Sequence, residues 1–264
     1  MITASLVIYH NSQEEIDTLL ACVLRSTIDK LYIVDNSRHD SYRILERRSD
    51  KIRYIHNIND GYGAAHNIAI REALATGARY HVVLNPDIYF ADGTIESLTQ
   101  YMDDDSSIGW VMPKITYPNG EVQNMCKLLP TPADLFIRRF VPKRLMSDAR
   151  TKFNFTTDYP INIPYLSGCF MFLRTDALKE VGLFDERFFM YGEDLDLSRR
   201  MHMQYKTMFY PEVTVVHAHR AASYQSKKML KIHIENIVMY FNKWGWFFDR
   251  DRRKINQTVL KSLK

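Results

Sequence analysis

The first hundred residues alternate short apolar runs with stretches whose apolar positions recur every three or four residues. Residues 6–9 predict a buried strand, and residues 14–24 a helix behind it. Residues 31–34 and 52–55 predict a second and third strand, with a short helical segment at 42–48 between them. The turn Gly61-Tyr62-Gly63 leads into a helix over about 64–75 with Ile68 and Leu74 on its apolar side, and residues 80–84 form a fourth strand. Strands alternating with helices of this length predict βαβ units, and so a Rossmann-like α/β fold with a mostly parallel central sheet flanked by helices. Ligands of such sheets bind beyond the carboxyl ends of the strands. Asp35, Asn59 and Asp87 each fall just after a predicted strand.

The rhythm breaks over residues 113–165, which are proline-rich and carry a basic, apolar patch at 136–145. This stretch reads as a long excursion from the sheet, not as a second domain. Regular signals return with a strand at 169–173 and a helix opened by Thr175 as N-cap, with Leu178 and Val181 inward. A helix over 193–203, short strands at 207–210 and 213–216, and a final helix over 228–241 follow. Ile234, Ile237, Val238 and Phe241 recur at helical spacing in that last element. The expected organisation is an α/β body over 1–224 and a basic amphipathic helical extension over 225–264.

Composition narrows the class without choosing the activity. Hydrophobic residues at 46% and charged residues at 25% describe an ordinary globular chain, and 264 residues bury a substantial core. Cys22, Cys126 and Cys169 are far apart and form no CxxC pair, which argues against a disulfide framework or a zinc site and fits a reducing, cytoplasmic compartment. The amino-terminal run has no basic leader, and no apolar run approaches the roughly 20 residues of a membrane helix. The net charge of +4 is uneven. Residues 225–264 hold ten Lys/Arg against three Asp/Glu, a local +7, while the remainder sums to −3. Such a tail attracts polyanions, whether nucleic acid or an anionic membrane, and equally describes a solvated helix face.

Four clusters carry candidate chemistry. Asn85-Pro86-Asp87 places a carboxylate in a tight turn after a strand, where it can share a divalent cation with substrate phosphates, although the three residues are also favoured turn formers. Gly61-Tyr62-Gly63-Ala64-Ala65-His66-Asn67 opens a helix as a phosphate-approaching turn would. His66 stands where a dinucleotide fingerprint needs its third glycine, and the turn follows the third strand, so a nicotinamide enzyme is a poor reading. Tyr191-Gly192-Glu193-Asp194-Leu195-Asp196-Leu197 sets three carboxylates at a helix start, more than capping requires. Like charges that close raise at least one pKa and suit a general base. His217 ends a strand, where an imidazole can ligate a metal, and His219, Arg220, Lys227 and Lys228 follow it.

In this order the motifs resemble a family-2 glycosyltransferase with the GT-A fold, especially its bacterial rhamnosyltransferase-like branch. The motifs are Val34-Asp35-Asn36-Ser37, Asn59-Asp60-Gly61-Tyr62-Gly63 with Asn67, Asn85-Pro86-Asp87, Ser167-Gly168-Cys169, Gly182-Leu183-Phe184-Asp185-Glu186 through Glu193-Asp194 to Arg200, and His217. The resemblance spans about residues 3–220. It implies that Asp35, Asn59, Gly63, Asn67 and Asn85 lie at a nucleotide-sugar site, and that Asp87 with His217 holds Mg²⁺ or Mn²⁺. Asp194 would be the catalytic base of an inverting transfer, supported by Glu193, with Asp196, Arg200 and Gly168 on the acceptor side.

The implied donor is dTDP-rhamnose or a UDP-sugar, and the implied acceptor a polysaccharide or lipid-linked glycan. No nucleic-acid partner is expected. Segments 136–145 and 244–254 suit peripheral contact with an anionic membrane at the inner face of the cytoplasmic membrane, and a homodimer interface or a lid is the competing use of the same residues. Two other readings remain: a sugar-phosphate nucleotidyltransferase, which lacks its glycine-rich basic loop at His10-Asn11-Ser12-Gln13-Glu14, and a non-catalytic glycan- or membrane-binding scaffold, against which the intact Glu193-Asp194 pair stands.

Overall fold

A computed structural model describes residues 1–135, 154–218 and 227–263. The patch at 136–145, with His219 and Arg220, lies outside the described residues. Strands β1 (Ile2–Ile8), β2 (Lys30–Asp35), β3 (Ile52–His56) and β4 (Tyr80–Leu84) run parallel in the spatial order β3-β2-β1-β4. Every residue of β1 and β4 is buried, as a strand covered on both faces requires. Helices α1 (Gln13–Arg25) and α2 (Tyr62–Ala75) make the crossovers, and a 3-10 helix, Arg43–Arg48, links β2 to β3. Ser12 caps α1 in a capping box with Glu15.

The second half of the sheet is mixed. After β5 (Ile88–Phe90), α3 (Thr94–Asp104), β6 (Ile108–Thr116), β7 (Cys126–Lys127), β8 (Asn154–Phe155) and β9 (Ile161–Asn162), strand β10 (Phe170–Arg174) inserts antiparallel between β4 and β6. It enters from the excursion instead of from a crossover helix, so nothing obliges it to run parallel. The sheet ends in β11 and β5. β11 (Lys206–His217) joins the two short strands expected at 207–210 and 213–216 across an irregularity at Tyr210/Thr214. Helix α4 (Thr175–Val181) corrects the N-cap assignment: Arg174 is the cap residue, and the Thr175 hydroxyl donates to the carbonyls of Ala78 (2.5 Å) and Arg79 (3.0 Å), tying α4 to the start of β4.

Helix α5 (Glu193–His202) is followed by α6 (Lys227–Trp244) and α7 (Arg250–Ser262). The α6 stripe is rotated from its expected setting. Asn236, Tyr240 and Phe241 are buried, while Ile234 and Val238 are exposed. Asn236 turns inward because its side-chain amide donates to the Met190 carbonyl. Tyr240 and Phe241 join Leu129, Phe188 and Leu195 in a small core of their own, with Trp244 and Ile255 against it. The last two helices are thereby fastened to α5.

Candidate active site

The carboxyl ends of β1, β2 and β4, the start of α5 and one face of α6 enclose a cleft of ≈ 1010 Å³. Asn59, Asn85, Asp87, Gly168, Glu193, Asp194 and His217 all line it. A second hollow of ≈ 520 Å³, bounded by Arg38 and His56, shares Tyr9, His10, Asn36 and Asn59 with it, so the two are continuous.

At one point Asp87 Oδ1 lies 3.3 Å from His217 Nε2. Burial disfavours the His217 imidazolium, but the bond to Asp87 and the neighbouring Cys169 thiol outweigh it and bring the group up to about 10. The pairing of β5 with the end of β11, His217 opposite Ile88, sets the two side chains together. No cluster of three His, Cys, Asp or Glu suited to a metal occurs among the described residues. One carboxylate and one imidazole still fit a divalent cation whose remaining positions are taken by substrate phosphates and water.

Gly192, at φ +136°, starts α5, and Tyr191 before it holds φ +70°, an uncommon conformation for a residue with a Cβ, of the kind found at functional sites. This turn aims Glu193 and Asp194 into the cleft. Asp194 Oδ2 accepts from Gly168 N–H at 3.1 Å, and Oδ1 accepts from Leu195 N–H at 2.7 Å. A Cβ on Gly168 would come within 2.8 Å of Met171 Cε and 3.0 Å of Asp194 Cβ, so a side chain there would displace the Met171 tip and press on Asp194. Burial raises the Asp194 carboxyl, which Lys127 and the two N–H bonds partly restrain.

Glu193 behaves differently. It is 6% exposed, its Oε2 has no hydrogen-bond partner among the described residues, and burial with Asp194 alongside raises it to about 8. Burial thus raises both members of the pair, Glu193 to about 8, and near neutral pH a proton is held on Glu193. Because the folded value exceeds the ordinary 4.5, folding is favoured most below that value, and the advantage is lost as pH rises towards about 8. Glu193→Gln should accordingly melt above wild type at pH 9, with the gap closing towards pH 5. Parallel melting curves check this, and a constant gap would contradict it.

Tyr62 connects the two chemistries. Its hydroxyl lies 2.9 Å from Asn85 Oδ1 and 3.0 Å from Gly168 O, and burial keeps it protonated. Gly61, at φ +112°, passes so close to Phe189 that a Cβ would collide with that residue's backbone.

Several expected site residues lie elsewhere. Asp35 is fully buried and does not line the cleft; its carboxylate accepts from Tyr54 OH at 2.6 Å and Ser37 N–H at 2.8 Å. Gly63 packs under Phe184, where a Cβ would stand 2.9 Å from that residue's Cβ. Asn67 clamps the 182–189 loop, exchanging bonds with the Phe184 backbone at 2.9 and 3.0 Å and donating to Glu186 at 2.9 Å. Asp196, fully buried, takes Arg200 Nε at 2.9 Å, Trp244 Nε1 at 2.8 Å and Lys243 Nζ at 2.8 Å. Arg200 also donates to the carbonyls of Val181, Gly182 and Leu183. Asp196 and Arg200 thus fasten α5 to its surroundings instead of reaching the cleft. Lys127 was missed: it lines the cleft from β7, with its ammonium 4.8 Å from the Tyr165 ring centroid, in a stretch that offers no motif.

A mixed central sheet with the cleft at its carboxyl edge is the GT-A glycosyltransferase architecture. The chain belongs to glycosyl transferase family 2, whose model matches residues 6–182. Among curated proteins it is similar to the N-acetylglucosaminyl-diphospho-decaprenol L-rhamnosyltransferase of Mycobacterium tuberculosis, 30% identical over 179 residues, which cover 62% of this chain and 57% of that one. The chain thus spans little more than half the length of that relative. Among solved structures it superposes on GalNAc-T7 with UDP, GalNAc and Mn²⁺ at a TM-score of 0.66 and 16% identity, covering 92% of this chain and 48% of that one. The S. aureus TarS 1-349 structure follows at 0.60 and 16%, covering 99% and 70%. At that identity these structures support the fold alone. Membership of the family displaces the nucleotidyltransferase reading.

Proposed function

We propose that this chain transfers a sugar, with inversion, from a nucleotide-diphosphate donor to a lipid-linked or polysaccharide glycan. The observation that carries the reading is the meeting, in one cleft, of the Asp87–His217 pair with an Asp194 carboxylate held by the Gly168 N–H. The name of the mycobacterial relative favours L-rhamnose as the sugar and an N-acetylglucosaminyl-diphospho-polyprenol as the acceptor. The solved neighbour holding UDP and Mn²⁺ favours a cation-assisted site. The division into a catalytic body over 1–224 and an extension over 225–264 belongs to the same reading.

In this scheme the hollow around His10, Arg38 and His56 takes the nucleoside, and the diphosphate reaches Asn85 and Asp87. Asp87 and His217 would hold Mg²⁺ or Mn²⁺, which supplies Lewis-acid neutralisation of the charge that develops on the leaving diphosphate. Asp194 takes the proton of the acceptor hydroxyl as that oxygen attacks the anomeric carbon and the bond to the diphosphate breaks. The desolvated carboxylate is a stronger base than one in water. Glu193, kept neutral, adds no second negative charge to the approach of the hydroxyl. The test is a screen of nucleotide sugars with Mg²⁺ or Mn²⁺: one donor should be consumed in an acceptor-dependent reaction, and indifference to every donor would end the reading.

A lipid-linked acceptor gives the C-terminal helices a role. No described helix is long and apolar enough to cross a membrane. Trp244 does not serve an interface: its indole donates to Asp196, and the Arg199 guanidinium lies 4.1 Å from its ring centroid. Arg252 is likewise buried. The turn between α6 and α7 instead presents Phe247 (70% exposed) and Phe248 (92% exposed), with Arg250, Arg253 and Lys254 exposed beside them. Aromatic side chains flanked by cations suit an anionic bilayer surface. The chain should float with phosphatidylglycerol vesicles and be released by salt, and Phe247→Ser with Phe248→Ser should abolish flotation. Equal recovery with neutral vesicles would contradict this.

A further inference from the structure

The hairpin after β6 supplies a residue that no motif announces. β6 ends at Thr116. The chain turns through Tyr117 and Glu121, whose backbones bond at 2.8 Å, and returns so that Gln123 N–H meets Ile115 O at 2.8 Å. β11 lies beside β6 with Val216 opposite Thr116, so the returning strand places Gln123, 4% exposed, against His217. Gln123 Nε2 donates to the His217 carbonyl at 2.7 Å and to the Thr116 carbonyl at 3.3 Å, and Gln123 Oε1 lies 3.1 Å from His217 Nδ1.

Those contacts fix the amide's orientation by hydrogen-bond logic. Reversed, its oxygen would face two carbonyl acceptors with no hydrogen between them. Oε1 is therefore the acceptor at Nδ1, and Nδ1 carries the hydrogen. The remaining ring nitrogen, Nε2, is the one turned towards Asp87.

We propose that Gln123 is a positioning residue of the cation site, holding the His217 ring with Nδ1–H donated and Nε2 directed to the place beside Asp87 where a divalent ion is bound. The inference rests on the reading of Asp87 and His217 as the cation's ligands, and deepens it. To ligate, the ring must give up the Nε2 hydrogen that it otherwise holds towards Asp87, and a bond that keeps the hydrogen on Nδ1 decides which nitrogen is freed and fixes the ring angle. Gln123 does both, while its amide also ties the backbone of β11 at His217 in place.

The experiment compares Mn²⁺ binding, with UDP present, in the full chain and in Gln123→Met, Gln123→Glu and His217→Ala. The electron paramagnetic resonance signal of free Mn²⁺ is the readout, and melting curves accompany it. Gln123→Met should weaken Mn²⁺ binding about 10–100-fold, the range for loss of a group that orients a metal-ligating histidine. Gln123→Glu, whose buried carboxyl in its protonated form accepts from Nδ1–H through one oxygen and donates to the His217 carbonyl through the other, should recover most of that affinity at pH 6, where the comparison is made. Weakening in His217→Ala but not in Gln123→Met would overturn the role of Gln123 and leave the ligand reading intact. Equal losses in Gln123→Met and Gln123→Glu would also overturn it, by showing that packing of the hairpin matters and the acceptor at Nδ1 does not. Wild-type affinity in His217→Ala would remove the ligand reading, and the inference with it.

Discussion

Asp194→Asn is expected to lower sugar transfer by about 10²–10⁴-fold, the usual contribution of a positioned general base, while donor binding stays within a few-fold of wild type. The substitution isolates proton transfer. An asparagine oxygen can still accept from the Gly168 N–H, which meets Asp194 Oδ2 at 3.1 Å, but gives up the bond from Leu195 N–H at 2.7 Å, so melting curves run beside the assay to show that the turn opening α5 is kept. What the amide cannot do is take a proton. Glu193→Gln should cost activity much less, because burial already keeps that carboxyl protonated up to about 8. Initial rates with a labelled donor, alongside calorimetric titration of the nucleotide, separate chemistry from binding. Near-wild-type turnover in Asp194→Asn, or a larger loss in Glu193→Gln, would move the base to Glu193.

The second large effect concerns stability. Asp249→Ala should destabilise the fold by about 3–5 kcal/mol, the cost of leaving a buried charge without its partner. Arg199 and Asp249 are almost fully buried and bond in two places, Nη1 to Oδ2 at 2.6 Å and Nη2 to Oδ1 at 2.8 Å. The Asp249 carboxylate also caps α7 by accepting from Arg252 N–H at 2.9 Å. Burial alone would raise the Asp249 carboxyl, but the Arg199 bonds outweigh it and hold the group below its ordinary value. A depressed folded pKa means that the pair stabilises above the ordinary carboxylate range, and that this is lost as pH falls through the folded value. Wild type should therefore lose stability on acidification below pH 4 faster than Asp249→Ala does. Urea denaturation at neutral and acid pH measures both effects. A difference under about 1 kcal/mol at neutral pH, the scale of an exposed ion pair, would contradict the account.

Much of the molecule was legible because its determinants are local. Apolar runs gave β1 to β4 to within a few residues, and Asn85-Pro86-Asp87, Glu193-Asp194 and His217 meet in one cleft. Residues whose partners come from distant segments were not legible. Asp196 sat in an acidic cluster that invited a site role, but the Trp244 indole, 48 positions away, takes its carboxylate. Asn67 lay inside a recognisable motif and turned out to clamp a loop 117 positions on. Helix α7 falls inside the helical extension expected over 225–264 but had no bounds of its own there, because Arg250–Ser262 is mostly polar and only Arg252 and Val259 are buried, too sparse a stripe to delimit a helix. Lys127 and Gln123 belong to a stretch without periodicity. Their positions follow from a hairpin and a two-stranded ladder that close only in three dimensions.

The central claim is that one cleft joins a cation-held nucleotide diphosphate to a carboxylate base. The most direct test is to incubate the chain with Mg²⁺ or Mn²⁺, a panel of nucleotide sugars that includes dTDP-rhamnose, and an N-acetylglucosaminyl-diphospho-polyprenol acceptor, and to follow the lipid by mass spectrometry. The account predicts a gain of one sugar residue with stoichiometric release of the nucleoside diphosphate, abolished by chelation and by Asp194→Asn. Unchanged acceptor with every donor, or a product that forms equally well in Asp194→Asn, would contradict it.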